Sequence, residues 1–228
     1  MMTDTHMDSP VSRRREIEKD RRRQEIMEAA KKVFFARDYA RASMDDIARE
    51  AGVTKPTVYS YFHTKDELYY SLTLPVIERL NSDMEAMRAK MDAGAYASGR
   101  EILRDHFRTY REISAADPGA LRLLLLMQQP GIIRNVEAKI RGLIKTRVKE
   151  RYEGMRAIYA SAIERKLIRN INVYHLVDMI WGTFQGIIQS TGAKTMDGGP
   201  GSDEKLARIL GPTLDFAEEA IADAVAVK

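Results

Sequence analysis

Residues 43–65, SMDDIAREAGVTKPTVYSYFHTK, constrain the fold of this chain more than any other stretch, because two helical patterns meet there at a tight turn. Ser43 is placed to cap a first helix with apolar residues at helical spacing, and Gly52 follows, where a positive φ carries no strain. Thr54 can cap a second helix with Pro56 in its first turn, where a missing N–H is not needed. We therefore predict two short helices joined by a turn.

The second of these helices has one apolar and one polar face. Val58 and Phe62 lie four residues apart and should face inward. The polar residues that should point outward are Lys55, Thr57, Ser60 and Tyr61. The second helix of such a pair enters the major groove of DNA by its N-terminal end. The pattern predicts a DNA-binding helix-turn-helix, and a helical hairpin that binds no DNA is the alternative.

The segment resembles the N-terminal signature of the TetR family of one-component regulators, which runs through a capped helix, an AGV turn, a K-P-T start and a Y-x-Y-F-x-x-K ending. The matching positions are Ala51-Gly52-Val53, Lys55-Pro56-Thr57, Tyr59-Ser60-Tyr61-Phe62 and Lys65. The preceding helix is similar too, with an apolar stripe of Ile26, Ala29, Ala30, Val33 and Phe34 and then Tyr39. Asp38 departs from the family, which most often has glycine there, but Asp tolerates a left-handed conformation.

The resemblance implies a DNA-contacting role for each residue of this signature. Base edges or the nearby backbone would be contacted by Lys55, Thr57, Ser60 and Tyr61. Phosphates would be held by Ser43, Thr54, Tyr59 and Lys65. Pro56 would touch a thymine methyl group.

At 228 residues the chain is long enough for one small domain and one larger one. We expect a flexible basic arm over 1–15, a helix-turn-helix domain over 16–65, and a helical effector-binding and dimerisation domain over 66–228. The fold class is then all-α, with an N-terminal three-helix domain followed by a larger helical domain.

The net charge of +4 is concentrated at the N-terminal side, where residues 1–65 hold 14 Lys and Arg against 11 Asp and Glu. An arm carrying Arg13, Arg14 and Arg15 could follow DNA phosphates or probe a minor groove. A solvated tail is the alternative, since acidic residues such as Glu16 interrupt the cluster.

Capping residues and breaks divide the remaining chain into helices. A helix should begin after Thr64 and run to about Met91, another should begin after Ser98 and end near Ala116, and Asp117 should cap a short apolar one. A long amphipathic helix follows with a stripe from Val136 to Ile163.

The last two helices are too apolar for helices with one solvent-facing side, and Gly182 and Gly186 would allow a partner to approach closely. The resemblance implies a four-helix bundle across a two-fold axis, which makes the protein a homodimer. The predicted interface comprises Leu176, Ile180, Gly182, Phe184, Gly186, Ile187, Leu210, Phe216 and Ile221. Packing of these residues within one subunit is the alternative.

The resemblance also implies an effector pocket among the middle helices. Candidate lining residues are Phe107, Tyr110, Met127, Met155, Tyr159 and Trp181. Their apolar character favours a small hydrophobic or aromatic effector. The alternative is an ordinary core, because aromatic and methionine side chains at helical spacing usually pack together.

Several classes of protein are disfavoured by what the sequence lacks. It has no cysteine, its four histidines are scattered, and it has no H-E-x-x-H, G-x-S-x-G or glycine-rich phosphate motif, so we expect no catalysis, metal or cofactor. No apolar run of about 20 residues and no signal peptide are present, which favours the cytoplasm and no membrane partner. We therefore expect a repressor that binds a palindromic double-stranded DNA operator and leaves it when the effector binds. A helical ligand-binding or scaffolding protein without operator recognition is the alternative.

Overall fold

The computed structural model describes residues 10–194 and 202–227, and within these ranges the protein consists of ten α-helices and no strand. The predicted all-α fold class is therefore confirmed. The helices are α1 (Pro10–Arg41), α2 (Met44–Glu50), α3 (Lys55–Tyr61), α4 (Lys65–Asp92), α5 (Gly99–Ala116), α6 (Pro118–Met127), α7 (Pro130–Ile133), α8 (Ala138–Glu164), α9 (Val173–Lys194) and α10 (Ser202–Val225).

The chain divides into two compact units, the first extending through residue 72 and the second beginning at residue 73. The division lies inside α4, seven residues beyond the predicted boundary at residue 65. Its physical reason is that Leu68, Tyr69 and Leu72, in the first two turns of α4, are buried in the first unit.

Residues 10–15, predicted to belong to a flexible arm over 1–15, form the first turns of α1, so the prediction is corrected there. Residues 1–9 lie outside the described residues. Farther along α1, Arg21 pairs with Glu18 at 2.6 Å and with Glu25 at 2.9 Å. Such pairs at spacings of three and four residues stabilise an exposed helix.

The first unit packs α1 and the start of α4 against the two short helices. Ile26, Phe34, Ile47, Val58 and Phe62 are all buried in its core. At one side of this core the ring of Tyr69 meets those of Phe34 and Tyr39 edge-on, with centroids 4.9 and 5.0 Å apart. Such offset aromatic contacts stabilise a packed core beyond the area that they bury.

In the second unit, α10 packs against α5 and α9. Arg111 of α5 joins α5 to α10 through ion pairs with Asp215 at 2.9 Å and Glu218 at 2.8 Å. Ser98 and Asp117 cap α5 and α6 as predicted, each accepting a hydrogen bond from a backbone N–H of the first turn. The second unit is thus a helical body whose element boundaries follow local capping signals.

Candidate DNA-binding surface and effector site

Two side-chain caps set the frame of the helix-turn-helix. The Ser43 hydroxyl accepts a hydrogen bond from the Asp46 backbone N–H at 3.2 Å, and the Asp46 carboxylate accepts one from the Ser43 N–H at 3.2 Å. Thr54 accepts a bond from the Thr57 N–H at 3.3 Å. Gly52 lies between them with φ of 65°, as predicted, where a residue with a Cβ would be strained.

These caps present the N-terminal half of α3 to solvent. Val58 and Phe62 are buried, as predicted. Of the candidate DNA-contacting residues on this helix, the exposed ones are Lys55, Pro56, Tyr59 and Ser60, and the partly exposed ones are Thr57 and Tyr61. The arrangement presents hydroxyl, phenol and ammonium groups, which can donate hydrogen bonds to base edges and phosphates.

The side chains of Thr54 and Thr57 are hydrogen-bonded to each other. Their hydroxyl oxygens lie 2.8 Å apart, so one hydroxyl donates to the other. The Ser60 hydroxyl donates to the Thr57 carbonyl at 2.7 Å. These hydrogen bonds hold the three hydroxyl groups in defined positions before any ligand binds. Each hydroxyl oxygen has two lone pairs and can still accept a further hydrogen bond.

Lys55 is the cation at the start of α3, and it pairs with Asp45 of α2 at 2.7 Å. This hydrogen bond raises the pKa of Lys55. Both side chains are about half exposed, so solvent screens the pair and it adds little to stability. A DNA phosphate can therefore replace Asp45 as the partner of Lys55 at little energetic cost.

Lys65, which was predicted to hold a phosphate, has hydrogen-bond partners within the first unit. Its ammonium donates to the backbone carbonyls of Tyr39 at 2.8 Å and Ala42 at 3.0 Å, and it lies 4.4 Å from the centroid of the Tyr39 ring. Partial burial lowers the pKa of Lys65, although Asp66 opposes this effect. Lys65 thus ties the start of α4 to the end of α1, and because two of its three N–H groups are used in this way, we expect it to position the domain rather than to hold a phosphate.

Residues 26–72 match the family model described as "Bacterial regulatory proteins, tetR family", which spans the capped turn, the recognition helix α3 and the start of α4. This segment belongs to the TetR family.

Curated proteins also have similar sequences. This chain is 33% identical over 109 residues to the HTH-type transcriptional activator FasR of Mycolicibacterium smegmatis, and the similar stretch covers 47% of each protein. It therefore spans about half the length of the curated relatives it matches.

Two solved structures share the fold over most of the chain. The ketosteroid transcriptional regulator KstR2 of Mycobacterium tuberculosis has a TM-score of 0.65 at 18% identity, covering 91% of this chain and 96% of that one. The transcriptional regulator FadR of Bacillus subtilis in complex with stearoyl-CoA has a TM-score of 0.59 at 21% identity, covering 89% and 98%. At these identities the likeness concerns the fold alone.

In the second unit, all six predicted effector-pocket residues are buried, namely Phe107, Tyr110, Met127, Met155, Tyr159 and Trp181. The aromatic members form a packed cluster, in which Tyr110 stacks on Phe184 with centroids 3.9 Å apart and contacts Phe107 edge-on. The structure thus brings these aromatic residues together as core.

Polar groups that the sequence interpretation missed lie within the same cluster. The His106 Nδ1 is 2.9 Å from the Tyr159 hydroxyl. Burial, followed by the charge of Arg151, lowers the pKa of His106 to about 3, so the ring is neutral near pH 7. The guanidinium of Arg151 lies 3.7 Å from the centroid of the Trp181 ring. A signal for Arg151 existed in the sequence, since it continues the apolar stripe of α8 formed by Ile144 and Met155.

A groove of about 580 Å³ opens between the described parts of α4 and α8 in the second unit. Its lining includes Asn81 and Met84 on α4 and Arg151, Gly154 and Ala157 on α8. These residues differ from the six predicted ones, so a ligand in this groove would contact a set that hydrophobicity alone did not indicate.

The predicted dimer-interface residues fall into two groups. Leu176, Ile180, Phe184, Leu210 and Ile221 are buried within the single chain, so they are corrected to core residues. The residues that remain accessible are Gly182, Gly186, Ile187 and Phe216. Met179 on α9, which was not predicted, is 40% exposed and joins the accessible set.

The described residues lack two other kinds of feature. No helix within them is both long and apolar enough to span a bilayer. The same ranges contain no group of three or more His, Asp or Glu side chains arranged to hold a metal ion.

Proposed function

We propose that this protein is a ligand-responsive, sequence-specific transcriptional regulator, a homodimer that represses by occupying a palindromic operator. The observation that supports the proposal most strongly is the surface of α3. Lys55, Tyr59 and Ser60 are exposed there on a helix whose start is fixed by the Thr54 cap, inside the segment that matches the family model. Preorganised donors at the N-terminal end of a recognition helix are what major-groove recognition requires.

Dimerisation is supported by the accessible face of α9 and α10. Phe216 is 74% exposed, and a Cβ added at Gly182 or Gly186 would meet no atom within 4 Å. A second copy could therefore approach this face closely and cover an aromatic ring. Two copies would hold two recognition helices on half-sites about 34 Å apart, which raises affinity and specificity over a single helix.

Release of the operator by a small hydrophobic or aromatic effector is the second part of the proposal. The groove lined by Met84 and Ala157 and the aromatic cluster beside Trp181 support it. The similar FadR structure holds stearoyl-CoA, which supports an effector with an apolar body for this chain too. We expect no catalytic activity, and we expect the protein to act in the cytoplasm, where the chromosome is.

Selection of bound duplexes from a random DNA pool, followed by a salt titration on the enriched sequences, tests the proposal. We expect a palindrome with half-sites one helical turn apart, and a steep loss of affinity with salt. Thr57→Val should change which bases are enriched, whereas Thr213→Val on α10, a matched exposed threonine, should leave the motif unchanged. Weak, salt-sensitive binding without a motif would instead support a helical ligand-binding or scaffolding protein.

The sign of regulation is tested separately, because the similar FasR is described as an activator. A reporter gene placed behind the selected palindrome should be less active when the protein is present. Higher reporter activity would contradict repression while leaving operator recognition intact.

A further inference from the structure

Arg151 is a cation in the interior of the second unit. Its side chain is on the buried stripe of α8, and the residue is only 5% exposed. Among the described residues, its Nε and Nη2 atoms have no hydrogen-bond partner, and no carboxylate forms an ion pair with it. Buried charges in proteins are usually paired, because an isolated one carries a large desolvation penalty.

The groups around Arg151 compensate this charge only in part. The guanidinium lies over the Trp181 ring at 3.7 Å, and a cation over an indole face is attracted by it. Burial lowers the pKa of Arg151, and the nearby Tyr110 and a hydrogen bond with Tyr152 oppose this effect. The guanidinium remains protonated at neutral pH, and both tyrosines are neutral partners. The site therefore holds a positive charge without an anionic partner from its own chain.

Two further polar groups near Arg151 also have unused capacity. Gln128 and Arg151 line the same small cavity of about 10 Å³, together with apolar residues such as Leu80 and the polar Asn81 and Arg147. Within the described residues, the Gln128 Nε2 has no hydrogen-bond partner, and neither has the Tyr110 hydroxyl. This cavity has room for one water molecule at most, so an oxyanion would reach the Arg151 donors from the larger groove that Arg151 also lines.

Arg151 also lines the open groove between α4 and α8, so one side chain borders both the interior and the solvent. The groove has three carboxylates, Glu85, Glu150 and Glu153, and three arginines, Arg88, Arg147 and Arg151. Arg147 pairs with Glu150 at 3.0 Å, and Glu153 with Lys149 at 3.7 Å. Without Arg151 the lining carries three carboxylates against two arginines, and Lys149 outside the lining neutralises one of the carboxylates, so Arg151 is the buried cation beneath a rim that is close to neutral.

We propose that Arg151 binds the oxyanion head of an amphiphilic effector, a carboxylate or a phosphate ester carried on an apolar body. The head group approaches Arg151 from the groove, where Met84, Gly154 and Ala157 face the apolar body. This inference rests on the proposed function in one respect, namely that the occupant is the effector that releases DNA. The anion completes the ion pair that the fold leaves open.

Trp181 provides the measurement, because it is the only tryptophan in the chain and lies under the guanidinium. The probes are alkyl and aryl carboxylates of graded length, the matched amides, the matched alkyl phosphates, and inorganic phosphate. We expect some carboxylates or alkyl phosphates to change Trp181 fluorescence. At a hundredfold excess over Kd they should raise Tm by about 5–10 °C. Whichever series is active identifies the head group.

Arg151→Met is the test variant, and Lys145→Met, which removes an exposed cation of the same helix that does not line the groove, is the matched control. The shift in Tm should disappear in Arg151→Met and persist in Lys145→Met. Without a probe, Arg151→Met should melt at the same temperature as the parent or higher, because methionine removes an uncompensated charge. A fall of more than about 5 °C would show that the fold itself satisfies Arg151, and would overturn the proposal.

Three other results would also overturn it. The first is that no probe produces a shift in Tm that depends on Arg151. The second is that the neutral amides shift Tm as much as the matched carboxylates do. The third is that inorganic phosphate alone produces the full shift in Tm, which would indicate an adventitious ion only. None of these measurements uses DNA. If the DNA selection yields an operator but no anion binds, only this inference is contradicted. If an anion binds but no operator is found, the proposed function is contradicted and the anion site at Arg151 stands.

Discussion

Phe216 offers a quantitative test of the homodimer, because its side chain is 74% exposed in the single chain. Complete burial of a phenylalanine contributes up to about 3 kcal/mol, so covering three quarters of it contributes roughly 2 kcal/mol. In a two-fold symmetric dimer Phe216 is covered in both subunits, so the two side chains together contribute about 4 kcal/mol to the free energy of dimerisation. Phe216→Ala should therefore weaken dimerisation by up to about 1,000-fold.

Sedimentation velocity across a dilution series measures this dissociation constant directly. Leu143→Ala is the control, since Leu143 is also a large exposed hydrophobic residue but lies on α8. It should leave the constant within about twofold. Equal dissociation constants for Phe216→Ala and the parent would refute the assignment of this face to the interface, and the same loss in Leu143→Ala would show that exposure alone does not identify it.

Three further changes test the interior and the turn. The pKa of His106 is about 3 in the folded chain, so between pH 6.5 and about 3 the unfolded chain binds a proton that the folded chain does not. As the pH falls through this range, the free energy of unfolding should therefore decrease by up to about 1.4 kcal/mol per pH unit. In urea titrations, His106→Gln should show a shallower decrease. An equal slope in that variant would contradict the assignment. Gly52→Ala should destabilise the chain by about 1–2 kcal/mol because φ is positive, whereas Gly142→Ala, inside α8 with open space around it, should not; equal melting temperatures would contradict the strain. Lys65→Met should cost roughly 1.5–3 kcal/mol of stability and leave the salt dependence of DNA binding unchanged; a slope reduced by about one would restore Lys65 to the phosphate-binding set.

Local signals in the sequence predicted the helix-turn-helix well. Ser43 and Thr54 cap helices because each side chain reaches a backbone N–H only three residues away, and Gly52 ends α2 because its own backbone can adopt a positive φ. These interactions depend on neighbouring residues alone. Their geometry is therefore accessible from the order of the residues.

Roles that depend on distant residues were not accessible in this way. Lys65 acts on carbonyls 23 and 26 residues earlier in the chain. Likewise, an apolar period on α9 indicates that Phe184 faces an apolar surface, but it does not say whether that surface belongs to the same chain. Burial assigns Phe184 to the core of its own subunit and leaves Phe216 accessible, a distinction that requires the packing of α5, α9 and α10.

The two units handle positive charge differently, and the difference matches their proposed tasks. Lys55 in the first unit has an exposed carboxylate partner, and such a pair can be exchanged for a phosphate with little change in free energy. Arg151 in the second unit has already lost its water and has gained no anion in return. The desolvation penalty of Arg151 is therefore already present in the folded protein before any ligand binds. An anion that binds beside Arg151 gains the Coulomb energy of a buried pair, and the main opposing term is the desolvation of the anion itself. A neutral analogue gains nothing from this charge. Occupancy by an anion should thus change the stability of the second unit strongly, and differential stabilisation of this kind is what a sensing domain requires to shift an equilibrium.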